Sequence, residues 1–318
     1  SKWSHANSGF VHEWTKISAN QNVSDSDLHP PAMEQHWSFG SGKPFPAKYV
    51  DNDYQRGIFV DASVNGVQGH FKIDTGSYSI LLTQKFAERA RVKHIGTSTS
   101  TGIGPKAIHP NIDLIESMRF GDNTLSNMKE TSADLEFGKD REGQVVDGLI
   151  GFDLFGGAIV GLNMDSNEMT LSDPATTAVD TSKGLNVVVD LANLTPHLPM
   201  KIDGRIPVQA TLDTGSYFNI MYAQDLESKY GLVMVVDQNP NAILNTHVFM
   251  GGVGGSEFDK CGTLDSATLG PIVYQTPTAC SSRSLTDRDI LLGVDFIKHF
   301  NLVFDYPHSQ IIMTPRKE

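Results

Sequence analysis

Two carboxylates on identical turns are the residues of this chain with the clearest chemistry. Asp74 opens the run Asp74-Thr75-Gly76-Ser77-Tyr78, and the same five residues recur as Asp213-Thr214-Gly215-Ser216-Tyr217. Two such groups brought face to face cannot both ionise cheaply, so they share one proton. The pair then offers one acid and one base at a single point, which is what activating a water for attack on a carbonyl requires.

The elements that must position these turns are themselves repeated, and a repeat outranks any single motif. Upstream of Asp74, Ile58, Val60, Ala62 and Val64 alternate, Asn65-Gly66 turns the chain, and Val67, Gly69, Phe71 and Ile73 lead back. Upstream of Asp213, Leu198, Met200 and Ile202 alternate, Asp203-Gly204 turns, and Ile206, Val208, Ala210 and Leu212 follow. Asn-Gly and Asp-Gly between alternating apolar runs predict hairpins. Further on, 147–154 (DGLIGFDL) matches 289–296 (DILLGVDF), and 162–165 (LNMD) matches 302–305 (LVFD). The chain reads as two copies of one lobe.

These paired motifs resemble the aspartic proteases, which carry Asp-Thr-Gly in each lobe and, later, two apolar residues followed by Gly. Both signatures stand twice, the second as Leu149-Ile150-Gly151 and Leu291-Leu292-Gly293, and the resemblance covers residues 56 to 318. It implies an all-β, two-lobed fold, two related β-barrel-like lobes with the active-site cleft between them. One long chain is the pepsin-like organisation. The glycine-rich runs Gly102-Ile103-Gly104 and 251–255 (GGVGG), with no Tyr between Asp74 and Leu149 other than Tyr78, look instead like retropepsin flap tips. The resemblance therefore implies retropepsin-like lobes fused in one chain.

Residue by residue, it implies that Asp74 and Asp213 hold the lytic water and that Thr75 and Thr214 interlock the turns. Gly76 and Gly215 let the chain pass close by, and the Ser77 and Ser216 hydroxyls bond the outer carboxylate oxygens. Gly102, Ile103, Gly104, Gly252, Val253 and Gly254 would close over the substrate. Ile80, Ile103, Leu149, Ile150, Ile220, Val253 and Leu292 would line apolar pockets beside the scissile bond. The expected function is an endopeptidase with an acidic optimum. The alternative is a catalytically silent peptide-binding or inhibitory relative, but such proteins usually lose part of one Asp-Thr-Gly set, and both are intact here.

Bulk properties fit this class. A length of 318 residues and 39% hydrophobic content suffice for two packed lobes. A net charge of −12 argues against a nucleic-acid partner. The least charged stretch, 148–164, is broken by glycines and too short for a membrane span. No cofactor or metal is implied; the partner is a polypeptide substrate, and a monomer is expected because the second lobe is internal. The opening at Ser1 rather than Met fits a removed leader, and a secreted, periplasmic or other exported location is expected.

Other residues carry less. Cys261 and Cys280 are either buried thiols or a disulfide closing a loop of about 20 residues, the Ser/Thr-rich surroundings favouring the bond. Asp153 and Asp295 read as helix N-caps. Residues 1–55 hold all three tryptophans and have no counterpart before the second lobe. They read either as a prosegment in the cleft or as an arm packing its aromatics on a lobe, the arm being preferred. Lobes are expected at 56–172 and 185–318, with 173–184 as linker.

Overall fold

The structure, a computed structural model, describes residues 2–4, 11–13, 35–51, 56–101, 106–139, 143–191, 193–217, 219–232, 234–235, 248–252, 255–259, 261–283, 285 and 289–317. It divides into Ser1–Glu34 and Gln35–Glu318. In the first unit, strands Lys2–Ser4 and Val11–Glu13 pair antiparallel, Trp3 opposite His12. Most of the prosegment-or-arm question thus falls outside the described residues.

The second unit is all-β with two lobes. Strands Arg56–Val64 and Val67–Ile73 form the first hairpin, in which Val64 pairs with Val67. Asn65 and Gly66 take φ of 49° and 81°, a turn whose twist matches the flanking strands and which these two residues adopt at least cost. Strands His197–Ile202 and Ile206–Leu212 form the second hairpin through Asp203 and Gly204, at φ of 50° and 66°. Its loop is one residue longer, Ile202 pairing with Ile206.

Each hairpin then meets a short strand that arrives much later in the chain. Gly148–Ile150 runs parallel to Val67–Ile73, and Ile290–Leu292 runs parallel to Ile206–Leu212. On the far side of these lie Leu81–Thr83 and Ile220–Ala223, antiparallel to them. The chain therefore leaves one flank of a central strand, turns through Asp-Thr-Gly-Ser-Tyr, and enters the other flank. Leu81–Thr83, Gly148–Ile150, Ile220–Ala223 and Ile290–Leu292 are buried at every position, which is why they read as unbroken apolar runs rather than alternating ones. That threading fixes both turns from both sides.

A continuous set of six strands joins the lobes, in the order Leu185–Val188, Gln310–Pro315, Phe300–Asp305, Ile159–Asn163, Glu168–Ser172, Phe45–Asp51. At its centre Val160 faces Phe304 and Leu162 faces Leu302, so the two repeated motifs pair with each other. This corrects the boundary expected at residue 55. Phe45–Asp51 pairs with both Arg56–Val64 and Glu168–Ser172, burying Phe45, Ala47 and Val50, and is the counterpart of Leu185–Val188. Trp37 also joins this lobe: its strand pairs with Asn123–Ala133, and its ring stacks on Phe39 at 5.2 Å. The exposed Pro46 and Lys48 on the other face hid the strand in the sequence.

Cys261 and Cys280 oppose each other on neighbouring strands of the second lobe and are bonded. Both are buried. With 19 residues of separation, the bond restrains the unfolded chain by about 3 kcal/mol. Cys261→Ala/Cys280→Ala is therefore expected to lower Tm by roughly 5–10 °C, and wild-type protein heated with reductant should melt near the variant's temperature. Equal Tm values with and without reductant would show that the bond adds nothing.

Candidate active site

The two Asp turns meet, and the contact is reciprocal. Thr75 N donates to Thr214 Oγ1 at 3.0 Å, and Thr214 N donates to Thr75 Oγ1 at 3.0 Å. Each hydroxyl also crosses to the opposite strand, Thr75 Oγ1 donating to Leu212 O at 2.6 Å and Thr214 Oγ1 to Ile73 O at 2.9 Å. Both threonines are buried, so each of these bonds is sheltered from competing water. The backbone of each Asp is pinned to its central strand: Asp74 N donates to Ile150 O at 2.9 Å and Asp213 N to Leu292 O at 2.8 Å.

The glycines explain how closely the carboxyls approach. A Cβ on Gly76 would lie 2.5 Å from Asp213 Cγ, and one on Gly215 would lie 2.4 Å from Asp74 Cγ. Each carboxyl thus rests on the other lobe's glycine. Gly76 N donates to Asp74 Oδ1 at 3.1 Å and Gly215 N to Asp213 Oδ1 at 2.7 Å. Asp74 and Asp213 also hydrogen-bond each other through their side chains. Burial, then the Asp213 charge, push Asp74 up to about 7, while Lys72 and the Gly76 N–H pull it back. A carboxyl raised towards neutrality beside a second carboxyl is an environment in which a proton can be shared.

Other expectations change. Ser77 Oγ donates to Ser79 O at 2.8 Å, and Ser216 Oγ has no partner among the described residues, so neither hydroxyl bonds a carboxylate. The reason is local: the turn bends Ser77 back onto its own chain. Asp153 and Asp295 are not N-caps, since Gly151 and Gly293 occupy those positions without a side-chain bond. Asp153 instead hydrogen-bonds Glu130, whose Oε2 accepts from Ile80 N at 3.0 Å. Burial, then the Asp153 charge, raise Glu130 well above the carboxylate range, so Glu130 stands behind Leu81–Thr83 as the protonated member of this second pair. Asp295 is held by Arg56 at 2.6 Å and Lys298 at 2.9 Å.

The expected apolar lining also moves. Ile80, Ile150, Ile220 and Leu292 are wholly buried and belong to the core. Tyr78 and Tyr217, each just after its Asp turn, are the large side chains left open there, at 49% and 39% exposure. The Tyr78 hydroxyl hydrogen-bonds Ser100, on the strand that leads towards Gly102-Ile103-Gly104. Those three residues lie outside the described residues, as do Val253 and Gly254. Around the second run, Val248–Gly252 and Gly255–Asp259 form a hairpin with Gly252 opposite Gly255.

Lys72 escaped the sequence reading. It lies two residues before Asp74, next to the end of strand Val67–Ile73. It is 8% exposed, and its Nζ donates to Gly215 O at 2.7 Å. The signal was a charge in an otherwise apolar run, Phe71-Lys72-Ile73, where the second lobe has Thr211.

Residues 60–154, from the first hairpin through Asp74 to the helix after Gly151, match the family model described as aspartyl protease. Over that span the chain is similar to the aspartyl proteases. The family that the model describes hydrolyses peptide bonds, and the match supports that general class of activity. The second lobe repeats the aspartic protease motifs outside the matched span. No curated protein matches the chain. Among the described residues, no helix is long and apolar enough to cross a membrane.

Proposed function

We propose that this chain is an aspartic endopeptidase whose catalytic pair is Asp74 and Asp213. The ionised carboxylate takes a proton from a water held between the two as that water attacks the scissile carbonyl. The protonated partner donates to the carbonyl oxygen and stabilises the tetrahedral species, and no covalent acyl-enzyme forms. Collapse returns the proton to the leaving amine. The observation that carries this reading is the reciprocal seating of each carboxyl on the other lobe's glycine, where burial and the Asp213 charge raise Asp74.

The residues around Ile103 and Val253 serve as flaps that exclude bulk water. Tyr78 and Tyr217 offer aromatic faces beside the turns, so large apolar or aromatic substrate side chains are preferred, each adding about 1–3 kcal/mol of discrimination. The internal repeat supplies both halves of the site, which favours a working monomer. The Cys261–Cys280 bond favours an exported, oxidising compartment.

The test is a denatured peptide library incubated from pH 3 to 8, with and without pepstatin, and read by mass spectrometry. Cleavage next to Phe, Leu, Tyr or Met, blocked by pepstatin, is expected. The rate should fall as pH rises through about 7, because Asp74 then loses the proton that makes it the acid. Cleavage beside Lys, Arg or acidic residues would contradict the pocket assignment. A rate still climbing at pH 8 would contradict the dyad.

A further inference from the structure

The proposed dyad sits beside a buried cation that its mechanism does not use. Lys72 Nζ donates to Gly215 O, the carbonyl of the glycine that cradles Asp74, so a first-lobe ammonium is anchored to the second-lobe turn. Its Nζ also lies 4.5 Å from the centre of the Tyr217 ring. Room for the stem is provided by Gly57 on the neighbouring strand, where a Cβ would come within 2.7 Å of Lys72 Cε. The strands flanking Lys72 place Phe59 and Leu149 beside it, neither of them charged. The charges that reach it are Asp74 and Asp213. Tyr306, buried with its hydroxyl unpartnered among the described residues, faces Asp213 and is kept neutral by burial. The corresponding residue of the second lobe, Thr211, is uncharged and hydrogen-bonds His197.

We infer that Lys72 is a positioning residue for the catalytic pair: its ammonium, bridging the lobes at Gly215, holds the dyad in its one-proton form in mildly acidic solution. The inference rests on the protease reading above. The physics is a contest of signs. Burial and the Asp213 charge raise Asp74, and without relief the dyad would keep both protons to a higher pH and have no base. A buried positive charge favours ionisation and brings the first deprotonation down. Burial lowers Lys72 itself, and the two carboxyls raise it, so the ammonium and the dyad sustain each other's charge. Because only one lobe carries the lysine, it also breaks the symmetry between the two turns.

Lys72→Met keeps the stem and removes the charge, and Lys72→Gln keeps a donor for Gly215 O without charge. Both limbs of the pH profile of kcat/KM are expected to move up by about one unit or more in each variant, with far-UV circular dichroism unchanged. Superimposable profiles for folded variant and wild type would overturn the inference. A shift in Lys72→Met that Lys72→Gln abolishes would also overturn it, by assigning the effect to the hydrogen bond. A reciprocal measurement needs no Lys72 variant: 15N NMR of the lysine side chains should show Lys72 titrating at lower pH in Asp74→Asn/Asp213→Asn than in wild type. An unchanged Lys72 titration would refute the coupling even if neither Lys72 variant folds. If the wild type cleaves nothing, the protease reading fails, while the lysine titration still reports on the charge coupling.

Discussion

Asp74→Asn and Asp213→Asn are each expected to lower kcat/KM by about 10²–10⁴-fold while leaving the fold intact. An amide fills the same space on the facing glycine and still accepts the N–H of Gly76 or Gly215 through its oxygen. It cannot exchange a proton with its partner, so the water loses either its acid or its base. The variants carry a second signature, in stability. Asp74 is raised from an ordinary value of 3.8 to about 7 in the folded protein. Between those values the unfolded chain releases its proton and the folded chain keeps it, so wild-type stability falls as pH rises and the cost is complete above about pH 7. An amide at this position bears no such cost, though it takes from Lys72 one of its two counter-charges. The net expectation is a Tm for Asp74→Asn a few °C above wild type at pH 7.5, with the advantage shrinking towards pH 4. Calorimetry at the two pH values, beside a peptidase assay, checks both signatures. Either folded variant retaining more than about a tenth of wild-type turnover would remove that Asp from the reaction.

The features legible in the sequence are those that local rules dictate. Asn65-Gly66 and Asp203-Gly204 specify their turns because few other pairs accept positive φ at both positions. The duplicated Asp-Thr-Gly runs and the apolar-apolar-Gly runs are legible because threading both turns around a fully buried strand admits little else. Gly151 illustrates the constraint, since a Cβ there would lie 2.3 Å from Ser77 O. The reciprocal threonine bonds follow from the same repeat.

What stayed hidden depends on partners distant in the chain. Phe45–Asp51 is an alternating strand with Pro46 on its open face, and only its pairing with Glu168–Ser172 and Arg56–Val64 shows that it belongs to the lobe. Ser77 carries the same hydroxyl whether it turns to Asp74 or to Ser79 O, and backbone bending decides. Ile80 and Leu292 read as pocket walls because they are apolar and next to the turns, yet burial on both faces takes them out of the cleft. Lys72 and Glu130 are the instructive cases. Each is a charged residue type inside a strand, ordinarily a sign of solvent. Lys72 is sheltered instead by a backbone carbonyl from the other lobe, and Glu130 by a second carboxyl sharing its proton.

A single added methyl should disable the site almost as thoroughly as losing a carboxylate. Gly76→Ala would bring Cβ within 2.5–2.7 Å of all three atoms of the Asp213 carboxyl, and Gly215→Ala would do the same to Asp74 at 2.4–2.5 Å. Ordinary contact needs about an ångström more. The turn cannot supply that ångström, because Thr75 and Thr214 are locked by four hydrogen bonds across the lobes. The carboxyl must therefore swing away, breaking its alignment with the partner that shares its proton. A displacement of that size costs about 10²-fold in rate, and crowding a packed contact costs about 1–3 kcal/mol of stability. The expected result for either variant is kcat/KM lower by about 10²-fold or more, with Tm lower by several °C. Gly96→Ala is the control: its Cβ would meet nothing nearer than Ile112 Cδ1 at 3.9 Å, and both activity and Tm should hold. Wild-type turnover by Gly76→Ala would mean that the dyad tolerates wider separation than the reciprocal seating allows, and the proton would then have to be shared through an intervening water.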